Sequence, residues 1–173
     1  PASTYILRNG SRIIAEPGVD VLPNDTIHSE EKGACTITYI NENSTINIEN
    51  RARVKLYEEN GAKRVKLSMG TVKCNVEKQS AGKNMVLTTP HARAEVVGTR
   101  FALSVTPEQT RLEVKEGLIL FTQIPGTQHV RVSAGNTATA GNMAETDKKL
   151  DIQWDFNSPV LPKELHVVDG EWT

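Results

Sequence analysis

The sequence predicts an all-β protein: two packed sheets of short, mostly antiparallel strands that follow a twisted, β-solenoid-like path. Three observations carry this. Apolar residues alternate with period two in one run after another, the mark of strands with one face buried. The runs stop within a few residues at Gly, Asn-Gly or Pro-Gly, so none is long enough for a stable helix. Val, Ile and Thr fill them, with aromatic residues at 5%, which suits β-layers packed by medium side chains.

Taken in order, Tyr5-Ile6-Leu7 ends at Asn9-Gly10, Arg12-Ile13-Ile14 at Pro17-Gly18, and Val19-Asp20-Val21-Leu22 at Pro23-Asn24-Asp25. Each reads as a short strand. Ala34 to Ile40 places Cys35, Ile37 and Tyr39 on one face, Asn41 to Ser44 makes a turn, and Ile46 and Ile48 continue inward. Ala52, Val54 and Leu56 repeat the alternation up to Asn60-Gly61, a strong hairpin signal. Val65, Leu67, Val72, Cys74 and Val76 then read as a pair of strands around Gly70.

The stretch from Met85 to Ala140 is the densest in pattern. Ala92, Ala94 and Val96 are apolar on even positions, whereas Phe101, Leu103 and Val105 are apolar on odd ones. A strand cannot change its inward parity without a bulge or corner. Gly98 is the residue suited to it, because lacking a Cβ it can take positive φ or let another backbone approach. Alternation resumes in Thr110 to Gly117 with Leu112 and Val114 inward, so two strands join at Pro107-Glu108-Gln109. A short unit, apolar-x-apolar-x-x-Gly, recurs as Tyr5-Leu7-Gly10, Val65-Leu67-Gly70, Leu112-Val114-Gly117 and Val130-Val132-Gly135. Its uneven spacing excludes a regular solenoid repeat.

The 173 residues suit one domain with an appendage, the boundary falling where a polar stretch begins: residues 1–141 as the all-β domain, 142–173 as a linker and C-terminal extension. Both tryptophans, Trp154 and Trp172, lie in that extension, which either packs on the main domain or opens a further, lectin-like one. The formal net charge of -1, with charges spread along the chain, gives no basic field for nucleic acid. Cys35 and Cys74 fall on inward strand parities; the first reading is two buried free thiols and the second a disulfide.

The runs "TTPHARAEVVGTRFAL", "TRLEVKEGLILF" and "VRVSAGNTATA" resemble, in order and spacing, the FecR domain, the periplasmic part of bacterial anti-sigma regulators. Upstream, "VLPNDTIHSEEKGACTITYINENSTINI" is similar to the family's L-x-x-GD-x-I segment with Asn24 in place of Gly, and "VKLSMGTVKCNV" to its L-x-x-G-x-V segment. The resemblance spans about Tyr5 to Ala140. The positions of the family pattern here are Thr89, Pro90, Gly98, Thr99, Phe101, Gly117 and Gly135, and they are structural punctuation rather than chemical groups. The resemblance implies an extracytoplasmic, periplasmic domain of a membrane-anchored bacterial protein, with Pro1 an internal boundary. It implies a protein partner in the cell envelope, such as a receptor signalling domain. The membrane helix would precede these residues, and the sigma factor would be reached only through a cytoplasmic segment outside them.

The search for chemistry is negative. His28, His91, His129 and His166 are isolated in sequence and read as exposed strand or turn residues, with no metal-ligand spacing. There is no G-x-S-x-G elbow, and Gly98-Thr99-Arg100 lacks the further glycines and lysine of a phosphate loop. Asn24-Asp25-Thr26 and Asn43-Ser44-Thr45 match glycosylation sequons and read as turn composition. No catalytic residue, metal or cofactor is expected. The alternative to a signalling domain is a glycan or cell-wall-polymer binding module, which the absence of Trp from residues 1–140 disfavours.

Overall fold

The structure is a computed structural model that describes residues 4–141 in full and the backbone of 151–154. Its described residues hold strands and turns with no helix. The strands are β1 (Thr4–Arg8), β2 (Ser11–Ile14), β3 (Thr26–Ser29), β4 (Cys35–Thr38), β5 (Thr45–Ile48), β6 (Arg53–Glu59) and β7 (Ala62–Val76). They continue with β8 (Met85–Thr88), β9 (Ala92–Val96), β10 (Thr99–Val105), β11 (Gln109–Glu116), β12 (Leu118–Gln123), β13 (His129–Ser133), β14 (Asn136–Gly141) and β15 (Asp151–Trp154).

Two sheets share the long strand β7. Sheet A runs β2-β1-β3-β6-β7-β8-β9-β12-β13 and sheet B runs β4-β5-β7-β10-β11-β14-β15. All pairings are antiparallel except β7 with β8. From β8 onward hairpins alternate between the sheets: β8–β9 in A, β10–β11 in B, β12–β13 in A, β14–β15 in B. That alternation is the solenoid-like path. The inner faces of both sheets enclose one core, with Leu67, Leu87, Ile119 and Phe121 from A meeting Val72, Phe101, Leu103 and Leu112 from B.

The glycine unit marks the corners of this path. Gly70, Gly117 and Gly135 have φ of +89°, +86° and +83° and sit where the chain leaves one sheet for the other. Gly10, at +82°, closes the β1–β2 hairpin. The strand pair expected around Gly70 is instead one strand. The N-terminal half of β7 pairs with β6, and its C-terminal half pairs with β5 and β10. A Cβ on Gly70 would lie 2.5 Å from the Ala52 Cα, so glycine lets β7 bend there without breaking.

At Gly98 the parity switch is the passage from β9 in sheet A to β10 in sheet B. Of the two duties open to this glycine, close approach is the one it performs. Its φ is not positive, and a Cβ would stand 2.9 Å from the Lys78 Cα.

Asn60 and Gly61, both at positive φ (53° and 71°), close the β6–β7 hairpin as the Asn-Gly signal predicts. Asn24, where the family pattern carries glycine, has φ 75°, a conformation Asn tolerates better than most residues.

The expected strand over Val19 to Leu22 does not form. Residues 15–25 are a loop, because local acceptors capture its backbone. Val19 N–H donates to the Glu16 carbonyl at 3.1 Å, and Leu22 N–H to Asp25 Oδ2 at 2.8 Å.

Both cysteines are free. Cys35 on β4 and Cys74 on β7 are separated by β5 and by a register offset. Two strand spacings, about 9.5 Å, exceed the roughly 7 Å that a disulfide can bridge between Cα atoms. The backbone of β15 pairs with β14. The 142 boundary and the side chains of the tail, His166 and Trp172 among them, lie outside the described residues.

Candidate protein-docking site

The family-pattern residues occupy the two ends of the sandwich. At one end, Thr89 and Pro90 form the β8–β9 turn, where the buried Thr89 Oγ1 accepts from Ala92 N–H at 2.9 Å and His91 N–H at 3.2 Å. His91, expected to be exposed, is 1% exposed. Its Nε2 lies 3.2 Å from the Pro107 carbonyl, so it must donate there. Nδ1 therefore accepts from Thr110 Oγ1 at 3.1 Å, and Thr110 accepts from Thr89 at 2.7 Å. The result is a directed hydrogen-bond chain tying the β8–β9 turn to the start of β11.

At the other end, the sheet crossings at Gly98-Thr99, Gly117 and Gly135 stack on one another. A Cβ on Gly117 would sit 2.6 Å from the Gly98 carbonyl oxygen. Ala134 N–H donates to the Gly117 carbonyl at 3.1 Å, and Gly135 N–H to that of Val114 at 2.9 Å. Phe101 is in the core. These residues hold the fold and offer no opening.

The opening lies elsewhere, where sheet B is short. On the N-terminal side of β7, sheet A carries four strands (β6, β3, β1, β2) and sheet B two (β5, β4). The 15–25 loop folds into the space this leaves. Between it and β4 are a pocket of about 360 Å³, floored by Ile6 and Ile27 with Cys35 and Ile37 on its wall, and an adjoining groove of about 610 Å³ that reaches Leu22, Ile40 and Tyr57. Val19, Leu22 and Ile40 are 36%, 46% and 81% exposed. The charged residues are Glu16 in the lining of the pocket and Asp20 and Glu58 in that of the groove.

The loop is pinned by Asp25, itself 1% exposed. Its carboxylate accepts from Arg8 Nε at 3.0 Å and Arg8 Nη2 at 2.7 Å, besides Leu22 N–H. Arg8 Nη2 also donates to the Asp20 carbonyl at 2.8 Å. The Arg8 hydrogen bond holds the Asp25 carboxyl below its usual value, outweighing the opposing effect of burial. On the groove's other wall, burial raises the Cys35 thiol and pushes the Tyr39 hydroxyl far above its ordinary range.

His28 is stacked on Tyr5, ring centroids 4.9 Å apart, with the Arg12 guanidinium 3.8 Å from the Tyr5 centroid. Burial first, then the cations Arg53 and Arg12, depress the His28 imidazole. His129 lies partly exposed on β13, with Nδ1 3.1 Å from the Thr127 carbonyl. Among the described residues no cluster of His, Cys, Asp and Glu could hold a metal ion. Nor is any helix there long and apolar enough to cross a membrane.

The groove residues were not singled out by the sequence, since they come from opposite sheets. The signal was present as Pro17-Gly18 and Pro23-Asn24, two turn pairs enclosing the short run Val19-Asp20-Val21-Leu22.

The model of the FecR protein family matches residues 25–120, more than half of the chain. The chain belongs to the FecR family. This FecR domain is also similar in fold to two crystal structures, at 2.50 and 1.65 Å, of a protein from Parabacteroides distasonis named as an anti-sigma factor. Each aligns with a TM-score of 0.63 and 15% identity over 75% of this chain. The alignment spans 59% of those structures' own length. No curated protein matches the chain.

Proposed function

We propose that this FecR domain is the extracytoplasmic sensory and signal-transducing domain of an anti-sigma-factor-type regulator, which binds a protein partner at the cell envelope and catalyses no reaction. Family membership over residues 25–120 carries the reading, and the fold likeness to proteins named as anti-sigma factors supports it. The geometry agrees with a docking role. The sandwich is held at both ends by backbone and hydroxyl contacts, and its opening is a groove of mixed apolar and polar lining beside an edge strand, a surface that suits a polypeptide. Residues 142–173 are read as a linker and the start of a further segment. Regulation requires only that the partner bind two states of the regulator with different affinity. The test is a panel of hydrolase substrates and a glycan array run beside envelope receptor fragments encoded near this gene. The reading predicts affinity for a receptor fragment alone. Turnover of any substrate, or glycan affinity without a protein partner, would contradict it.

A further inference from the structure

We infer that the gap beside β4 is a strand-addition site for an extended segment of a protein partner, apolar on one face and flanked by Lys or Arg. This rests on the docking reading above and gives it a location. Among the described residues β4 pairs only with β5. Tyr39 N–H donates to the Ser44 carbonyl at 3.0 Å, which sets the phase of the ladder. In the same register Ile37 faces Ile46 and Cys35 faces Ile48, so these pairs exchange backbone bonds with β5. Thr36 and Thr38, at the intervening positions, turn their N–H and C=O groups outward.

The 15–25 loop fills only part of the space beyond β4, and the pocket and groove between them, about 360 and 610 Å³, are the room an added strand would take. An added strand would set alternate side chains against the exposed Val19, Leu22 and Ile40 and leave the others to solvent. Charge selects the occupant. Glu16, Asp20 and Glu58 line the opening without a Lys or Arg among the lining residues, and none of the three forms an ion pair among the described residues. The nearby Arg8 is committed to Asp25 and the Asp20 carbonyl. A segment with basic ends therefore matches the rim, and one with acidic ends is repelled.

The experiment uses the full chain and a peptide of alternating valine and threonine with two lysines at each end, against the same peptide ended by glutamates. Calorimetry should show the lysine peptide binding about tenfold or more tightly than the glutamate one. Methylating the peptide nitrogens of one parity should abolish binding, while methylating the other parity should leave it intact. Bound peptide should slow alkylation of Cys35. Thr36→Pro, tolerated where an edge N–H faces outward, should keep the melting temperature and weaken the peptide.

Binding indifferent to methylation parity, or none by either peptide, overturns the site. So does self-association through this edge, which would make a second copy the occupant. A receptor fragment that binds wild type and Thr36→Pro equally would sink the β4 assignment and leave the docking reading standing. Glycan affinity with no protein partner would sink the docking reading itself.

Discussion

Thr99 Oγ1 donates a hydrogen bond to the Leu118 carbonyl at 3.1 Å, and this contact joins two passages between the sheets. Thr99 begins β10 just after Gly98, and Leu118 begins β12 just after Gly117. The side chain of one corner thus satisfies the backbone of the next. Gly117 allows the approach, since a Cβ there would lie 2.6 Å from the Gly98 carbonyl oxygen, whereas a Cβ on Gly98 would meet the Lys78 backbone.

Gly117→Val should therefore destabilise by about 2–4 kcal/mol, since it combines positive-φ strain with a clash against the Gly98 carbonyl. Gly98→Val should cost on the order of 1–3 kcal/mol from the Lys78 contact alone. Gly10→Ala, with nothing within 4 Å of the added Cβ, should cost about 1 kcal/mol, from φ alone. Thermal melts of the three variants give the ranking. Equal melting temperatures for Gly117→Val and wild type would remove the stacked-corner account.

The Asp25 clamp makes a pH-dependent contribution. Its folded pKa lies below the ordinary value for an aspartate. The stabilisation is therefore complete above about pH 4 and lost as pH falls through the folded value. Asp25→Asn should cost about 2 kcal/mol at neutral pH and flatten the stability profile below pH 4. Urea midpoints across pH 2–6 for both proteins check this, and parallel profiles would refute it.

How far the sequence reaches is visible in particular residues. The parity switch at Gly98 and the Asn60-Gly61 hairpin were legible because turn chemistry is local. The continuity of β7 through Gly70 was not, since a strand that bends and a strand that ends have the same pattern until the partners are known. Val19 to Leu22 alternates like a strand, yet the Asp25 carboxylate takes the Leu22 N–H. His91 looks isolated because its partner Thr110 is 19 residues away. The groove was illegible for the same reason: β4 and the 15–25 loop meet only when the two sheets close.

The hydrogen-bond chain through His91 fixes its tautomer. Nitrogen-detected NMR should find the proton on Nε2 at neutral pH, and a proton on Nδ1 would contradict the chain. His91→Phe should destabilise by about 1–3 kcal/mol by removing the ring's hydrogen bonds to the Pro107 carbonyl and the Thr110 hydroxyl.

Folding should need no metal. Dialysis against a chelator is expected to leave the far-ultraviolet circular dichroism and the melting temperature unchanged, and loss of β-signal would refute this.

The central claim is that the domain works by holding a protein partner. The most direct measurement is calorimetric titration of the chain with signalling fragments of envelope receptors. The account predicts a saturable one-to-one isotherm that weakens with added salt, because the rim of the groove is acidic. No heat with any receptor fragment, together with saturable binding to a cell-wall polymer, would contradict it.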